Sequence, residues 1–371
     1  MPIKPKLLTV FGTRPEAIKM CPLVLALKEC PFFESKLCVS GQHREMLDSV
    51  LSEFSVAPDF DLDIMRDCHS PSEINARILD RLTPVLEYNA PDAILVHGDT
   101  STAFAAALAA FYLKIPVFHV EAGLRSKDMY SPFPEEFNRA AIDMISELFF
   151  APTEHAARNL LSEGKGREFI TVTGNTVIDS LLLSIKKDFR HPLLPDLLPQ
   201  KDSIFALLTL HRRENIGSPM REVLSAVRQA VKENPKLSLL FPIHKNPAVR
   251  SIAEEELSGC ERIFITEPLS NTVFRNMMAR CDLILTDSGG IQEEAAFLGK
   301  PLFILRDTTE RPEVSDSARL VGTDREKVYN SLSTVLKNPR ILERMSRPST
   351  VFGTGDASKK IISTMYNYFF G

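Results

Sequence analysis

The chain has 371 residues, with 44 Lys plus Arg against 48 Asp plus Glu, a net charge of −4, and 44% hydrophobic and 25% charged residues. That composition is globular and excludes a disordered, fibrous or collagen-like chain. At about 150 residues per domain the length implies two domains, and the charge excludes a general basic field for nucleic acid or an acidic membrane surface.

Short apolar runs alternate with longer amphipathic stretches from the start of the chain: Leu7–Phe11, Lys36–Ser40, Ala93–Gly98, Pro116–Val120, Leu148–Ala151 and Phe169–Thr173. Each is predicted as a buried strand followed by a helix. Strands buried on both faces and joined by crossover helices make a parallel sheet, so residues 1–187 are predicted to form a doubly wound α/β domain. Residues 188–203 hold three prolines and little periodicity, and are predicted as a linker. Strand-like runs resume at Ile204–Leu210, Leu237–Ile243, Arg262–Thr266, Leu283–Thr286 and Pro301–Leu305, giving a second α/β domain over 204–355. Residues 356–371 are predicted as a helix that packs back onto the first domain.

The six cysteines, at 21, 30, 38, 68, 260 and 281, form no CxxC pair and no cluster with histidine at metal spacing. They read as reduced core thiols, with no metal site. The longest uncharged run near the middle, Thr102–Leu113, has 12 residues, too few for a membrane span. The first residues lack a signal-peptide core, so the expected location is the cytoplasm.

In open α/β sheets ligands gather at the carboxyl ends of strands. After the first strand comes Gly12-Thr13-Arg14-Pro15-Glu16-Ala17-Ile18-Lys19, a helix start suited to an anion and flanked by Arg14 and Lys19. The alternative is a helix start with two solvated cations. Neither GxGxxG nor GxxxxGK[ST] occurs, so the standard phosphate motifs are missing. Asp99 in His97-Gly98-Asp99-Thr100 and Glu121 in His119-Val120-Glu121 follow consecutive strands. In one crevice, one carboxylate would raise the pKa of the other and leave an acid or base near neutrality. The competing reading has Asp99 capping a helix and Glu121 paired with Arg125. Further on, Glu135 and Arg139 share a helix face, the pattern of a surface salt bridge.

In the second half, His211-Arg212-Arg213 ends a strand and offers a seat for a diphosphate, and His244-Lys245 repeats the pattern one strand later. A solvated basic rim is the alternative. The most distinctive stretch is Asp287-Ser288-Gly289-Gly290-Ile291-Gln292-Glu293-Glu294, where a strand ends in bare backbone and a helix opens. Such N–H groups suit a phosphate, and Glu294, one turn in, suits the two ribose hydroxyls. Arg311 sits in a polar loop after another strand end.

Taken together, GTRPEAIKM, HGDT, HVEAGLRS, SPFPEEFNR, HRREN, DSGGIQEEA and TERPE, in order from residue 12 to 313, resemble the non-hydrolysing UDP-N-acetylglucosamine 2-epimerases. The resemblance implies an α/β fold of the GT-B type, with two Rossmann-like domains facing a cleft. It implies that Arg14, Lys19, His211, Ser288, Gly289 and Gly290 hold the UDP diphosphate, Glu294 the ribose and Phe274 the uracil, with Arg311 in the substrate site. It implies that Asp99, Glu121 and Glu135 move protons, with Arg139 beside them, and that His211 belongs to the catalytic set. The implied substrate is UDP-N-acetylglucosamine, with no cofactor and no metal, acted on by a homodimer in a surface-polysaccharide pathway. Gln42, Arg212 and His244 suit the regulatory substrate site of some relatives, but Glu45 and Cys68 replace the expected Gln and Arg there, against direct activation by substrate.

Two other classes share these features. A GT-B glycosyltransferase would use the same UDP site with an acceptor. A UDP-sugar sensor would bind without turnover, yet three acids beside an anionic ligand would each cost it affinity.

Overall fold

The computed structural model describes residues 4–42, 44–65, 70–309, 311–314 and 317–371. The chain divides into two compact units, Met1–Leu183 with Phe352–Gly371, and Ser184–Val351. Both are α/β and Rossmann-like.

The first unit holds β1 (Lys6–Phe11), β2 (Glu34–Val39), β3 (Phe60–Asp61), β4 (Ala93–His97), β5 (Val117–Val120), β6 (Leu148–Ala151) and β7 (Ile170–Val172). They form one seven-stranded sheet in the order β3-β2-β1-β4-β5-β6-β7, with every pair parallel. The central strands are mostly apolar and buried because helices cover both faces. On one face Phe11, Leu23, Phe118, Ile361 and Met365 share a core. On the other, Val10, Ile94 and Leu82 meet the alanine-rich helix Ser101–Tyr112, whose Ala103, Ala106 and Ala110 are fully buried. Alanine lets that helix lie close to the sheet, and each buried Leu, Ile or Phe around it contributes about 1.5–3 kcal/mol.

The second unit holds β8 (Ile204–Thr209), β9 (Leu237–Pro242), β10 (Ile263–Thr266), β11 (Leu283–Thr286), β12 (Leu302–Ile304) and β13 (Ala318–Leu320). Their order is β10-β9-β8-β11-β12-β13, again all parallel. Leu208, Phe241, Leu285 and Phe303 pack with Leu224, Val227 and Leu332 from flanking helices. In each sheet the chain turns back between two central strands, β1 and β4 in the first and β8 and β11 in the second. Those are the switch points at which such sheets bind ligands.

Three features depart from the sequence expectation. The stretch read as a linker contains a one-turn helix, Leu194–Leu197, with Leu197 buried. The first unit closes at Leu183 rather than 187, and it takes up the chain again at Phe352 rather than 356. The return is a close backbone crossing, since a Cβ on Gly174 would lie 2.7 Å from the Gly353 Cα and both glycines have positive φ. From there the Asn175 N–H donates to the Phe352 carbonyl at 2.7 Å. Asp179 accepts from the Ala357 and Ser358 N–H groups at the start of helix Ala357–Phe370, where a carboxylate is favoured.

Cys21, Cys38 and Cys281 are buried, and burial pushes the Cys21 thiol up to about 12. Cys68 lies outside the described residues. Among the described residues no helix is long and apolar enough to cross a membrane.

Candidate active site

In the first unit Thr13 caps helix Arg14–Glu29 through a reciprocal capping box with Glu16. Glu16 is buried and does more than cap. Its Oε2 accepts from the Gly12 and Thr13 N–H groups at 3.1 and 2.8 Å, and its Oε1 accepts from Thr100 Oγ1 at 2.7 Å. Burial pushes the Glu16 carboxyl up despite these bonds. One side chain thus ties the loop after β1 to the loop after β4 across the switch point. Arg14 is half-buried and has no hydrogen-bond or ion-pair partner among the described residues.

Lys19, which the resemblance places at the diphosphate, is ion-paired to Glu121 Oε2. The same oxygen accepts from Asn175 Nδ2 at 2.7 Å, so the backbone crossing that fixes Asn175 also helps fix Glu121. Glu121 has φ of +65°, a left-handed conformation that costs a non-glycine residue of order 1–3 kcal/mol and marks positions under functional constraint. Its neighbour Gly98 also has positive φ, and a Cβ there would come within 3.5 Å of Glu121 Oε1. The pairing of Glu121 with Arg125 does not form. Arg125 binds Asp143 and Glu163.

Asp99 does not cap the next helix, because Thr100 does so with its side chain on the Ala103 N–H. The Asp99 carboxylate pairs with Arg139, and its carbonyl accepts from Asn138 Nδ2 at 2.8 Å. These bonds bring the first turn of helix Glu135–Ile145 to the Asp99 loop. Arg139 does not pair with Glu135 as the i,i+4 spacing suggests. Its second partner is Glu136, at 3.2 Å. Glu136 is buried and holds the preceding loop by accepting from the Ser126 and Lys127 N–H groups. Glu135 is half-buried, with no such partner among the described residues. Asp99 and Glu121 therefore each have their own cation, a different arrangement from two carboxylates raising one another.

Beneath them His119 is fully buried, with Nδ1 2.6 Å from Asp143 Oδ1 and Nε2 2.8 Å from the Gly98 carbonyl. For Asp143 burial raises the pKa, but His119 and Arg125 outweigh it and hold the carboxyl below the usual range. Gln42, at the end of β2, accepts from Thr102 Oγ1 at 3.1 Å. Glu45 is exposed on helix Arg44–Glu53.

His97, at the end of β4, is buried, and burial first, then Lys19 and His119 acting against Glu121, pulls its ring down to about 3. Unfolded, it titrates near about 6.5. As pH falls from there towards about 3 the unfolded chain therefore binds a proton that the folded chain refuses, and stability drops by about 1.4 kcal/mol per pH unit. Urea titrations across that window are expected to show this slope, and His97→Phe to flatten it. An unchanged slope in the variant would mean that the ring is charged in the fold.

In the second unit Asp287 does the tying. Fully buried at the end of β11, its Oδ2 accepts from the His211 and Arg212 N–H groups at 2.9 and 2.8 Å and from Asn215 Nδ2 at 3.1 Å. His211 Nδ1 stands 3.2 Å from Oδ1. Burial raises the Asp287 pKa, but His211 and these N–H groups outweigh it and keep the carboxylate ionised. His244 stacks on His211 at 6.0 Å between centroids. Its Nδ1 accepts from the Asn246 N–H, which leaves the proton on Nε2 in the neutral ring.

Ser288 precedes helix Gly289–Phe297 without a side-chain cap bond. A methyl on Gly289 would lie 3.6 Å from Arg311 Nη1 and 4.0 Å from Arg212 Nη2, and one on Gly290 would meet nothing within 4 Å. Neither glycine is demanded by φ or by packing. What they leave is bare helix N-terminal backbone under two guanidinium groups, an arrangement whose chemistry suits an anion. Arg212, expected at a regulatory position, thus lies beside the expected diphosphate seat. Arg311 is oriented by Glu293 at 2.8 Å, and Glu310 lies outside the described residues. Glu294 Oε1 accepts from Arg275 Nε and Nη2 at 2.8 and 2.5 Å. Arg275 is fully buried and also donates to Ser184 Oγ at 3.0 Å. It links Glu294 to helix Asn271–Arg280, which carries the half-buried Phe274.

Sequence reasoning missed Glu16, Asn175, Glu136, Arg275 and Asp287. Asp287 carried a signal in its place between a strand end and Ser-Gly-Gly, and Glu16 in the Thr-x-x-Glu spacing of a capping box.

A family model described as UDP-N-acetylglucosamine 2-epimerase matches residues 25–366. A Bacillus subtilis protein named UDP-N-acetylglucosamine 2-epimerase is 47% identical over 364 residues, covering 98% of this chain and 95% of its own. The solved UDP-GlcNAc 2-epimerase of Neisseria meningitidis, bound to UDP-GlcNAc, matches with a TM-score of 0.90 at 45% identity, over 98% of this chain and 100% of that one. The Methanocaldococcus jannaschii enzyme, in complex with UDP-GlcNAc and UDP, matches at 0.80 with 34% identity, over 98% and 99%.

Proposed function

The chain belongs to the UDP-N-acetylglucosamine 2-epimerase family, whose members are isomerases, and from that premise we propose that it inverts C2 of UDP-N-acetylglucosamine by elimination and re-addition of UDP. The C2 hydrogen is not beside a carbonyl, so removing it alone is prohibitive. Breaking the C2–H and C1–O bonds together forms the C1–C2 double bond of 2-acetamidoglucal, with the proton going to a carboxylate and the electron pair of C1–O leaving with UDP. Return of the phosphate oxygen to C1 and of a proton to the opposite face of C2 gives UDP-N-acetylmannosamine. Such chemistry asks for two proton-carrying acids and for cations on the leaving group.

One observation carries the reading. The left-handed Glu121, with its own lysine and amide, stands on the loop after β5, next to the β4 loop that carries Asp99 and binds the turn bearing Glu135. A binding site alone would have no use for acids there. The second unit supports the nucleotide part of the proposal, with Ser288, Gly289 and Gly290 for the diphosphate, His211, Arg212 and Arg311 for its charge, Glu294 for the ribose and Phe274 for the uracil.

Arg14→Ala and His211→Ala are each expected to weaken UDP binding about tenfold or more by calorimetry and to lower turnover with it. Unchanged UDP affinity in both would move the diphosphate elsewhere. We include in the proposal a homodimer through the first unit, supported by Phe111, Tyr112, Phe137 and Met144, exposed on two adjoining helices. Action in the cytoplasm, supported by the buried thiols, and supply of a surface polysaccharide complete it.

A further inference from the structure

The ion-paired Glu121 has a neighbour that the reaction just described does not use. His97 is buried at the end of β4, and its Nε2 has no hydrogen-bond partner among the described residues although it is shielded from water. That atom lies 3.8 Å from Glu121 Oε2. A buried polar atom without a partner is unusual and asks for a reason.

The geometry distinguishes two roles for the nitrogen. An N–H beside a carboxylate closes to about 2.7–2.9 Å. At 3.8 Å the ring is not donating to Glu121, whose Oε2 already accepts from Lys19 and Asn175. A neutral imidazole with its lone pair on Nε2 is kept at that distance from an ionised oxygen by repulsion between lone pairs. It becomes a good partner once the oxygen carries a proton, as O–H to N. The titratable groups around the ring are Lys19 from the first helix, Glu121 from the loop after β5 and His119 within β5, and burial above all, with Lys19 and His119 beside the ring, keeps His97 neutral against the pull of Glu121.

We propose that His97 is a positioning residue that holds the protonated form of Glu121 by accepting its proton in a hydrogen bond at Nε2. The inference rests on the reading of Glu121 as a proton-transfer acid. As acid or as base, Glu121 spends part of each cycle protonated, and in that part Lys19 no longer has a full negative charge to bind. His97 then keeps the carboxyl in register and delays its proton from leaving for solvent. No bond to His97 forms or breaks. While Glu121 is protonated the proton stays covalently on its carboxyl oxygen, and in the reaction it leaves only for C2, never for His97.

The test is a double-variant cycle on the full chain with His97→Phe, Glu121→Gln and both together. His97→Phe is expected to lower kcat about tenfold or more with KM within about twofold. The limb of the pH–rate profile that reports Glu121 should move to lower pH, because the protonated form has lost its acceptor. His97→Gln, which keeps a hydrogen-bonding group, should fall between His97→Phe and the native enzyme. UDP affinity confirms that each variant is folded. In the Glu121→Gln background, replacing His97 should cost nothing further. A native kcat and pH profile in both His97 variants, or an equal loss in the Glu121→Gln background, would overturn the inference. Full activity of Glu121→Gln alone would instead overturn the role of Glu121 on which it rests.

Discussion

Glu121→Gln, Asp99→Asn and Glu135→Gln are each expected to lower turnover of UDP-N-acetylglucosamine by at least about 10²-fold while UDP still binds. The substitutions keep shape and remove the ability to carry a proton. Of the three, Glu121 has the environment built most closely around it, with Lys19 and Asn175 on one oxygen and Gly98 left bare beside the other. Steady-state kinetics with calorimetric UDP titration separates the two effects. Near-native rates in all three variants would leave the carboxylates a structural explanation only.

The second large effect is in stability. Arg275→Met is expected to destabilise the second unit by about 3–5 kcal/mol in denaturant titrations, because it leaves the Glu294 carboxylate buried without its guanidinium. The cost should largely vanish in Arg275→Met with Glu294→Leu, where both charges give way to apolar groups of similar bulk. That double variant separates stability from function, since it should fold well and still bind UDP poorly for want of Glu294. A single Arg275→Met variant as stable as the native chain would show that water reaches the carboxylate.

The architecture was largely legible because its strands are buried on both faces. Runs such as Ala93–Val96 and Leu283–Leu285 are apolar without interruption, and each strand read from such a run is present. The two strands that went unread, β3 and β13, lie at sheet edges with half-exposed residues. An edge strand needs no apolar run, so periodicity does not reveal it. The short helix Leu194–Leu197 was hidden by the prolines around it, although Pro195 is tolerated in a first turn.

The candidate site was legible as residue types and not as pairings. Strand-end positions picked out Asp99 and Glu121 in the first unit and His211 and the Ser-Gly-Gly turn in the second, because each parallel sheet delivers its strand ends to one edge. Which cation meets which acid depends on loop geometry, and there local spacing misled. Arg139 sits four residues after Glu135, yet it turns to Asp99 and Glu136. Lys19 belongs by spacing to a helix start and by contact to Glu121, about one hundred residues away in sequence. The buried organisers Glu136 and Arg275 look like surface charges in a sequence, since a charge is buried only where folding brings its partners.

The central claim is proton exchange at C2 during epimerisation, and proton NMR of the purified protein with UDP-N-acetylglucosamine in D2O, without added cofactor, tests it most directly. The expected result is the appearance of UDP-N-acetylmannosamine with deuterium entering C2. An unchanged spectrum from protein that binds UDP tightly would contradict the account and favour a transferase awaiting its acceptor.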